Sequence, residues 1–272
     1  DQLLENKMLC LSLVRNFLSL LIVGSILFVS SSLLAANPSS KPTQLTPLWR
    51  EDVLTLEMVQ TSKVAVQTEL DAIPADSKKD GVDGHKKTSL KKELELIGEL
   101  EGILGRVWQL TQVDKSRKKR ESTILKELKK EKSRPKFQPP KSPNLDEFEA
   151  IKERMAQQEK AVKAISDEFE NRATLLQNIP QYILTAKEAQ EEASEKAKKL
   201  MALDGESSGA DKRLIERQKD NLLLAARVAK EQVNLWKKEQ EHEKNATPLR
   251  ELSMELARLQ FEKSEQQFTL YQ

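Results

Sequence analysis

The stretch FEAIKERMAQQEKAVKAISDEFENRATLLQNI, residues 148–179, decides the fold class of this chain. Its apolar residues recur at alternating steps of three and four, and only two polar residues interrupt the series. The positions are Phe148, Ile151, Met155, Gln158, Val162, Ile165, Phe169, Arg172, Leu176 and Ile179. A repeat of this period places every member on one stripe of an α-helix, as in a coiled coil. We call this stripe, with its continuation below, the heptad seam.

The heptad seam keeps its phase beyond Pro180. Its further members are Ile183, Ala186, Gln190, Ala193, Ala197 and Leu200. Proline lacks a backbone donor, so Pro180 predicts a kink or a restart of the helix, with Asn178 as a possible cap. We expect the helix to end near Asp204–Gly205, where residues 205–209 form a short turn of the kind that joins antiparallel helices.

The C-terminal part repeats this pattern. One seam follows the turn through Ile215, Leu222, Ala226, Ala229, Val233 and Trp236. Thr247–Pro248 predicts a fresh helix start. Two apolar stripes then follow on different faces: Leu249, Leu252, Leu256 and Leu259, and Met254, Phe261 and Phe268. Two stripes predict a helix with more than one neighbour, as in a bundle.

The N-terminal half is less regular. Thr46–Pro47 predicts the start of a short helix, Thr61–Thr68 suggests an extended segment, and Pro74–Lys87 is typical of a solvated linker. We therefore expect an all-α fold, an elongated antiparallel coiled-coil or helical bundle with disordered linkers. The predicted segments are a leader at 1–36, a spacer with short helix and linker at 37–87, a helical segment at 88–133, a Pro-rich linker at 134–144, and the coiled-coil bundle at 145–272.

Composition supports helices with narrow buried stripes. The chain has 272 residues, of which 38% are hydrophobic and 32% charged, with only 8 glycines. This is the balance of long helices, and neither of a disordered chain nor of one large globule. A net charge of +2 provides no electrostatic case for nucleic acid, so we expect no nucleic-acid partner.

Residues 1–36 have the pattern of a secretory signal peptide. Lys7 and Arg15 precede an apolar run that ends in small residues near Ala35 and Ala36. An uncleaved membrane anchor is the alternative, because about 20 apolar residues can span a bilayer. Either predicts that the remaining chain lies outside the cytoplasm. Cys10, the single cysteine, precedes the apolar run and is interpreted as a leader residue.

No pattern in the sequence predicts catalytic, cofactor-binding or metal-binding residues, and we expect no enzyme activity. His85 falls in the predicted linker, and His242 lies between Glu241 and Glu243 on what we interpret as a solvated helix face. Neither has a second histidine or cysteine at ligand spacing. The tryptophans at 49, 108 and 236 have helical spacing with aliphatic neighbours, which predicts packing for all three.

A basic stretch, Lys115 to Lys136, is the one strongly charged segment. It could hold an anionic partner such as lipid headgroups or acidic polymers. The alternative is a solvated helix end that leads into the Pro-rich linker.

Residues from about 146 to 272 resemble the periplasmic coiled-coil "MscS porin" domain of large mechanosensitive channels. The resemblance is carried by Leu175–Pro180 (LLQNIP), by Asp220–Arg227 (DNLLLAAR) and by Leu249–Leu259 (LRELSMELARL). It implies an attachment to the inner membrane and a channel region beyond Gln272, and it carries over no functional residues.

Two functions are therefore open. The first is that the chain is the N-terminal extramembrane region of a mechanosensitive channel, with a structural, gating or envelope-tethering role. Alternatively, it is a free exported scaffold or a periplasmic adaptor of a secretion or efflux system. Its expected partners are its own helices or a second copy, the channel region, and envelope components.

Overall fold

The computed structural model describes residues 46–74, 81–138, 144–203 and 210–271. A short 3₁₀ turn, Leu48–Arg50, precedes four α-helices: α1 (Leu56–Asp71), α2 (Val82–Ser133), α3 (Leu145–Leu203) and α4 (Ala210–Tyr271). These ranges contain no β-strand, and the helices pack side by side. The predicted all-α helical bundle is confirmed. The predicted signal peptide, residues 75–80 of the first predicted linker, residues 139–143 of the second and the predicted turn at 205–209 lie outside the described residues.

Helix α1 corrects the extended segment predicted at Thr61–Thr68. The helix begins after Thr55, whose Oγ1 accepts a hydrogen bond from the backbone N–H of Met58. The β-branched residues that suggested a strand lie inside α1, where Val59 and Val66 are buried. Packing of this valine face overrides the weak helix propensity of β-branched residues.

Helix α2 also begins earlier than the sequence suggests. Its first residue is Val82, so the predicted linker to Lys87 is wrong over its last six residues. Helix α1 runs antiparallel to α2, and ion pairs join Lys63 to Glu101 (2.7 Å) and Lys86 to Glu69 (3.0 Å). The core between them contains the fully buried side chains of Val59, Leu90, Ile97 and Leu100. Burial of this face stabilises the first turns of α2, although no local sequence signal predicts a helix start at Val82.

Helices α3 and α4 form an antiparallel hairpin. Phe148 near the start of α3 stacks on Phe268 near the end of α4, with ring centroids 5.2 Å apart. Further along, Tyr182 packs on Trp236 at 4.7 Å. The heptad seam is confirmed, because all of its members from Phe148 to Leu200 are buried or half-buried.

Neither internal proline restarts a helix. Helix α3 passes through Pro180 and α4 through Pro248, and both prolines are exposed. Of the two outcomes predicted at Pro180, a kink or a restart, the restart is therefore excluded, and the fresh start predicted at Thr247–Pro248 is wrong. Each proline removes one helical hydrogen bond, but the packed residue Ile179, which is 0% exposed, keeps α3 in register with its partner.

Helix α4 lies against two neighbours, as its two apolar stripes predict. Besides its antiparallel contact with α3, it runs parallel to α2. Asn221 of α4 donates to the backbone oxygen of Ser89, and Glu239 pairs with Arg106 further along both helices. Leu224 and Val228 of α4 complete the core that α1 and α2 share.

Two of the three tryptophans pack as predicted, and one does not. Trp49 lies against the core and Trp236 against Tyr182, whereas Trp108 is 62% exposed. The buried residue on this part of α2 is Leu110. Two residues correspond to about 200° around a helix, so Trp108 lies on the opposite face.

Glu93 of α2 provides a first testable prediction. Burial raises the pKa of its carboxyl, and the charges of Glu69 and Asp220 add to this against the opposing effect of Arg217. The ionised side chain therefore costs stability at neutral pH. We expect Glu93→Gln to raise the free energy of unfolding at pH 7 by up to about 1 kcal/mol.

This gain in the free energy of unfolding should shrink as the pH falls through the raised pKa of Glu93, because a protonated glutamic acid is nearly isosteric with glutamine. Urea unfolding of both proteins from pH 4 to pH 8 measures this. The exposed neighbour Glu95, changed to Gln, is the control. A gain that does not vary with pH would contradict the prediction.

Candidate functional site: a charged layer between three helices

The middle of the bundle contains charged side chains where a coiled coil would place apolar ones. We call this group the charged layer: Arg106 of α2, Arg172 of α3, and Glu239, Glu243 and Arg250 of α4. The α4 members follow one another at steps of four and seven residues, so they share the face that α4 turns to its neighbours. Arg172 is a member of the heptad seam. The layer therefore includes one position of the heptad seam.

Glu243 is the centre of the charged layer. Its side chain is 0% exposed, and its carboxylate lies 3.3 Å from Nη1 of Arg172 and 2.5 Å from Nη2 of Arg250. Both arginines lie within ion-pair distance of the carboxylate, so their charges compensate its burial. A buried carboxylate is tolerated only with such partners. This trio ties α3 to α4.

Glu239 ties α4 to α2. It is almost fully buried, and Nε of Arg106 donates to its Oε1 at 2.6 Å. The two buried glutamates lie one helical turn apart on α4 and take their arginines from different helices. Each glutamate thus fixes α4 against one neighbour.

His242 corrects the prediction of a solvated histidine. Its side chain is only 12% exposed, and its Nδ1 lies 2.7 Å from Oδ1 of Asp114 on α2. An ionised carboxylate only accepts hydrogen bonds, so Nδ1 carries the proton. Of the carboxylates that flank His242 in sequence, Glu241 is exposed, whereas Glu243 points into the bundle.

A second polar contact joins α1, α2 and α4 near the N-terminal ends of α2 and α4. Both oxygens of Glu69 accept from Nη2 of Arg217 at 2.8 Å, and Lys86 pairs with the same carboxylate. Burial acts to raise the pKa of Glu69, but the bonds from Arg217 and Lys86 outweigh it and lower the pKa. The contact therefore stabilises the fold above pH 4.5 and is lost as the pH falls through the lowered value.

The residues of the predicted basic stretch lie in different surroundings. Lys132 pairs with Glu255 of α4 at 2.7 Å, and Arg134 with Glu131 at 3.3 Å. Lys115, Lys118 and Lys119 are exposed. Arg117, which is half-buried, and Arg120, which is exposed, line a groove of about 550 Å³ between α2, α3 and α4, beside the charged layer.

The remaining features of the sequence lead to no assembled site. His85 is exposed on the first turns of α2, and Cys10 lies outside the described residues. Within the described ranges no three His, Cys, Asp or Glu side chains are grouped as metal ligands. None of the helices in these ranges combines the length and apolar character that a bilayer crossing requires.

The charged layer is what the sequence interpretation missed. Arg172 stood out as a polar residue in the heptad seam, but its partners did not. Glu243 and Arg250 follow Trp236 at steps of seven residues, in phase with the apolar seam of α4, and this was the available signal; Glu239 is out of that phase.

Comparison of the chain with protein-family models, curated proteins and solved structures found no match.

Proposed function

We propose that this chain is the extramembrane, periplasmic helical region of a mechanosensitive ion channel, where it carries load or adjusts gating without catalysis. The observation that carries the proposal is the position of α4, which buried ion pairs tie to α2 on one side and to α3 on the other. Interlocked side chains resist sliding. A force on one helix would therefore reach its neighbours.

The pattern of the leader and the resemblance of residues 146–272 to the periplasmic domain of such channels also support this. Both are properties of the sequence, so export and channel association need separate experiments.

Export can be tested by cysteine labelling, because the chain has a single natural cysteine. In a Cys10→Ser background, Glu192→Cys places a thiol on the exposed face of α3. We expect a membrane-impermeant maleimide to label it in intact cells. The matched control is Ala197→Cys on the buried face of the same helix, which should react only after denaturation. Labelling of Glu192→Cys that requires lysis of the inner membrane would contradict export.

Channel association can be tested by patch clamp of spheroplasts from a strain that lacks other tension-activated channels. Deletion of the whole gene should abolish tension-activated current, and the wild-type gene should restore it. Glu243→Ala should shift the opening tension, whereas Glu241→Ala, an exposed position two residues away, should not. Unchanged currents after deletion would favour a free exported scaffold or adaptor.

A further inference from the structure

The groove beside the charged layer is lined by arginines from all three of its helices. They are Arg106, Arg117, Arg120, Arg172 and Arg250. Glu168 and His242 are the other titratable groups in its lining, which contains no lysine. At about 550 Å³ the groove has the size of small-molecule sites.

Three of these arginines are already neutralised. Arg106 pairs with Glu239, and both Arg172 and Arg250 pair with Glu243. Glu168 lies 3.7 Å from Nε of Arg250 and adds to that cluster. These arginines are therefore structural.

Arg117 and Arg120 differ from the other three. Neither forms an ion pair with any residue in the described ranges. Nη1 of Arg117 is buried without a hydrogen-bond partner there, and Arg120 donates from Nη2 to the backbone oxygen of Val113 at 3.1 Å. Arg117 is half-buried, whereas Arg120 is exposed. The half-buried guanidinium of Arg117 has no ion-pair partner in the described ranges, and this costs free energy that a bound anion would offset.

The sequence Lys115-Ser-Arg-Lys-Lys-Arg120 separates its cations by type. Both arginines line the groove, although Arg120 is exposed as the lysines are, and none of Lys115, Lys118 and Lys119 belongs to the lining. Arginine offers a planar fork of donors that matches oxyanions, whereas lysine acts as a solvated point charge. In this segment the groove is therefore lined by arginines and not by lysines.

We propose that Arg117 and Arg120 bind a phosphate group in this groove. The two side chains are three residues apart, so they project from the same face of α2. A phosphate has enough oxygens to accept from two forks at once, whereas one fork already satisfies a carboxylate. The group belongs either to a soluble phosphate compound or to a phospholipid headgroup, and both present the same oxygens.

Titration of the purified full-length chain in a non-ionic detergent tests this. Pyrophosphate is added at constant ionic strength, and binding is measured by calorimetry and by the rise in melting temperature. Arg117→Gln/Arg120→Gln should weaken binding by about tenfold or more, because two charge-assisted contacts are lost. Lys118→Gln/Lys119→Gln removes the same charge from the same stretch outside the groove, and its affinity should remain within about twofold of wild type.

A second arm identifies the source of the phosphate. Co-sedimentation compares phosphatidylcholine vesicles with vesicles that also contain phosphatidic acid. Arginine-dependent binding of pyrophosphate alone supports a soluble ligand, and arginine-dependent binding to phosphatidic acid supports a headgroup. Circular dichroism melts without ligand show that each variant is folded.

Three results would overturn the proposal: no binding in either arm, equal losses in the arginine and lysine variants, or unchanged binding by the folded arginine variant. Because these measurements require neither export nor channel activity, they succeed or fail independently of the proposed function.

Discussion

Replacing Glu243 by alanine is expected to lower the free energy of unfolding by about 3–5 kcal/mol. The change leaves Arg172 and Arg250 facing each other without the carboxylate that lies between them. Arg250 is only 14% exposed on its side chain, so water cannot fully replace the lost partner. Urea unfolding followed by circular dichroism at pH 7 measures the loss.

Glu241→Ala is the matched control. It removes the same charge two residues earlier, from a side chain that is 61% exposed and pairs with Lys238 on its own helix. Its effect should remain below about 1 kcal/mol. Equal losses in the two variants would show that the position of Glu243 in the interior does not matter.

A compensated variant separates charge from packing. If Arg172, Glu243 and Arg250 are all replaced by leucine or methionine, stability should return to the wild-type level or exceed it by about 1–4 kcal/mol. Such recovery would indicate that the trio serves specificity or function at a cost to stability. Failure to recover would mean that these charges contribute net stability.

The second large effect is expected from Ile179→Asp, which should cost about 3–5 kcal/mol. Ile179 is 0% exposed in the heptad seam between α3 and α4. Aspartate there removes the packed methyl groups and places a carboxylate without a partner in an apolar contact. Thermal melts and urea unfolding should both show the loss.

Asn178→Asp is the control for added charge. Residue 178 is the exposed neighbour of Ile179 on the same turn, so it receives the same carboxylate in solvent. A change within about 0.5 kcal/mol is expected. An unchanged melt for Ile179→Asp would show that the seam is not buried.

The heptad seam shows how much of the fold could be predicted. Its members were all found buried or half-buried, and the expected two neighbours of α4 are α2 and α3. The reason is that apolar residues repeated every 3.5 positions cannot be covered by the helix that carries them. Such a stripe predicts a partner helix from local sequence alone.

The errors arise where packing outweighs a local signal. Thr61–Thr68 has the β-branched residues of a strand, and Pro248 is a typical helix start, yet both lie inside helices. Propensities and single hydrogen bonds are each worth about 1–3 kcal/mol. Side-chain burial along a long helix exceeds this.

The sequence by itself determined the all-α class, the seam and the Pro-rich break between α2 and α3. Only the tertiary structure showed that Glu239 and Glu243 are interior charges, and that Arg117 faces a groove while Lys118 faces solvent. A charged residue carries no local sign of its partner, because the partner is brought close by another helix more than 60 residues away in sequence. Whether a charge is solvated or buried is therefore decided by helix packing.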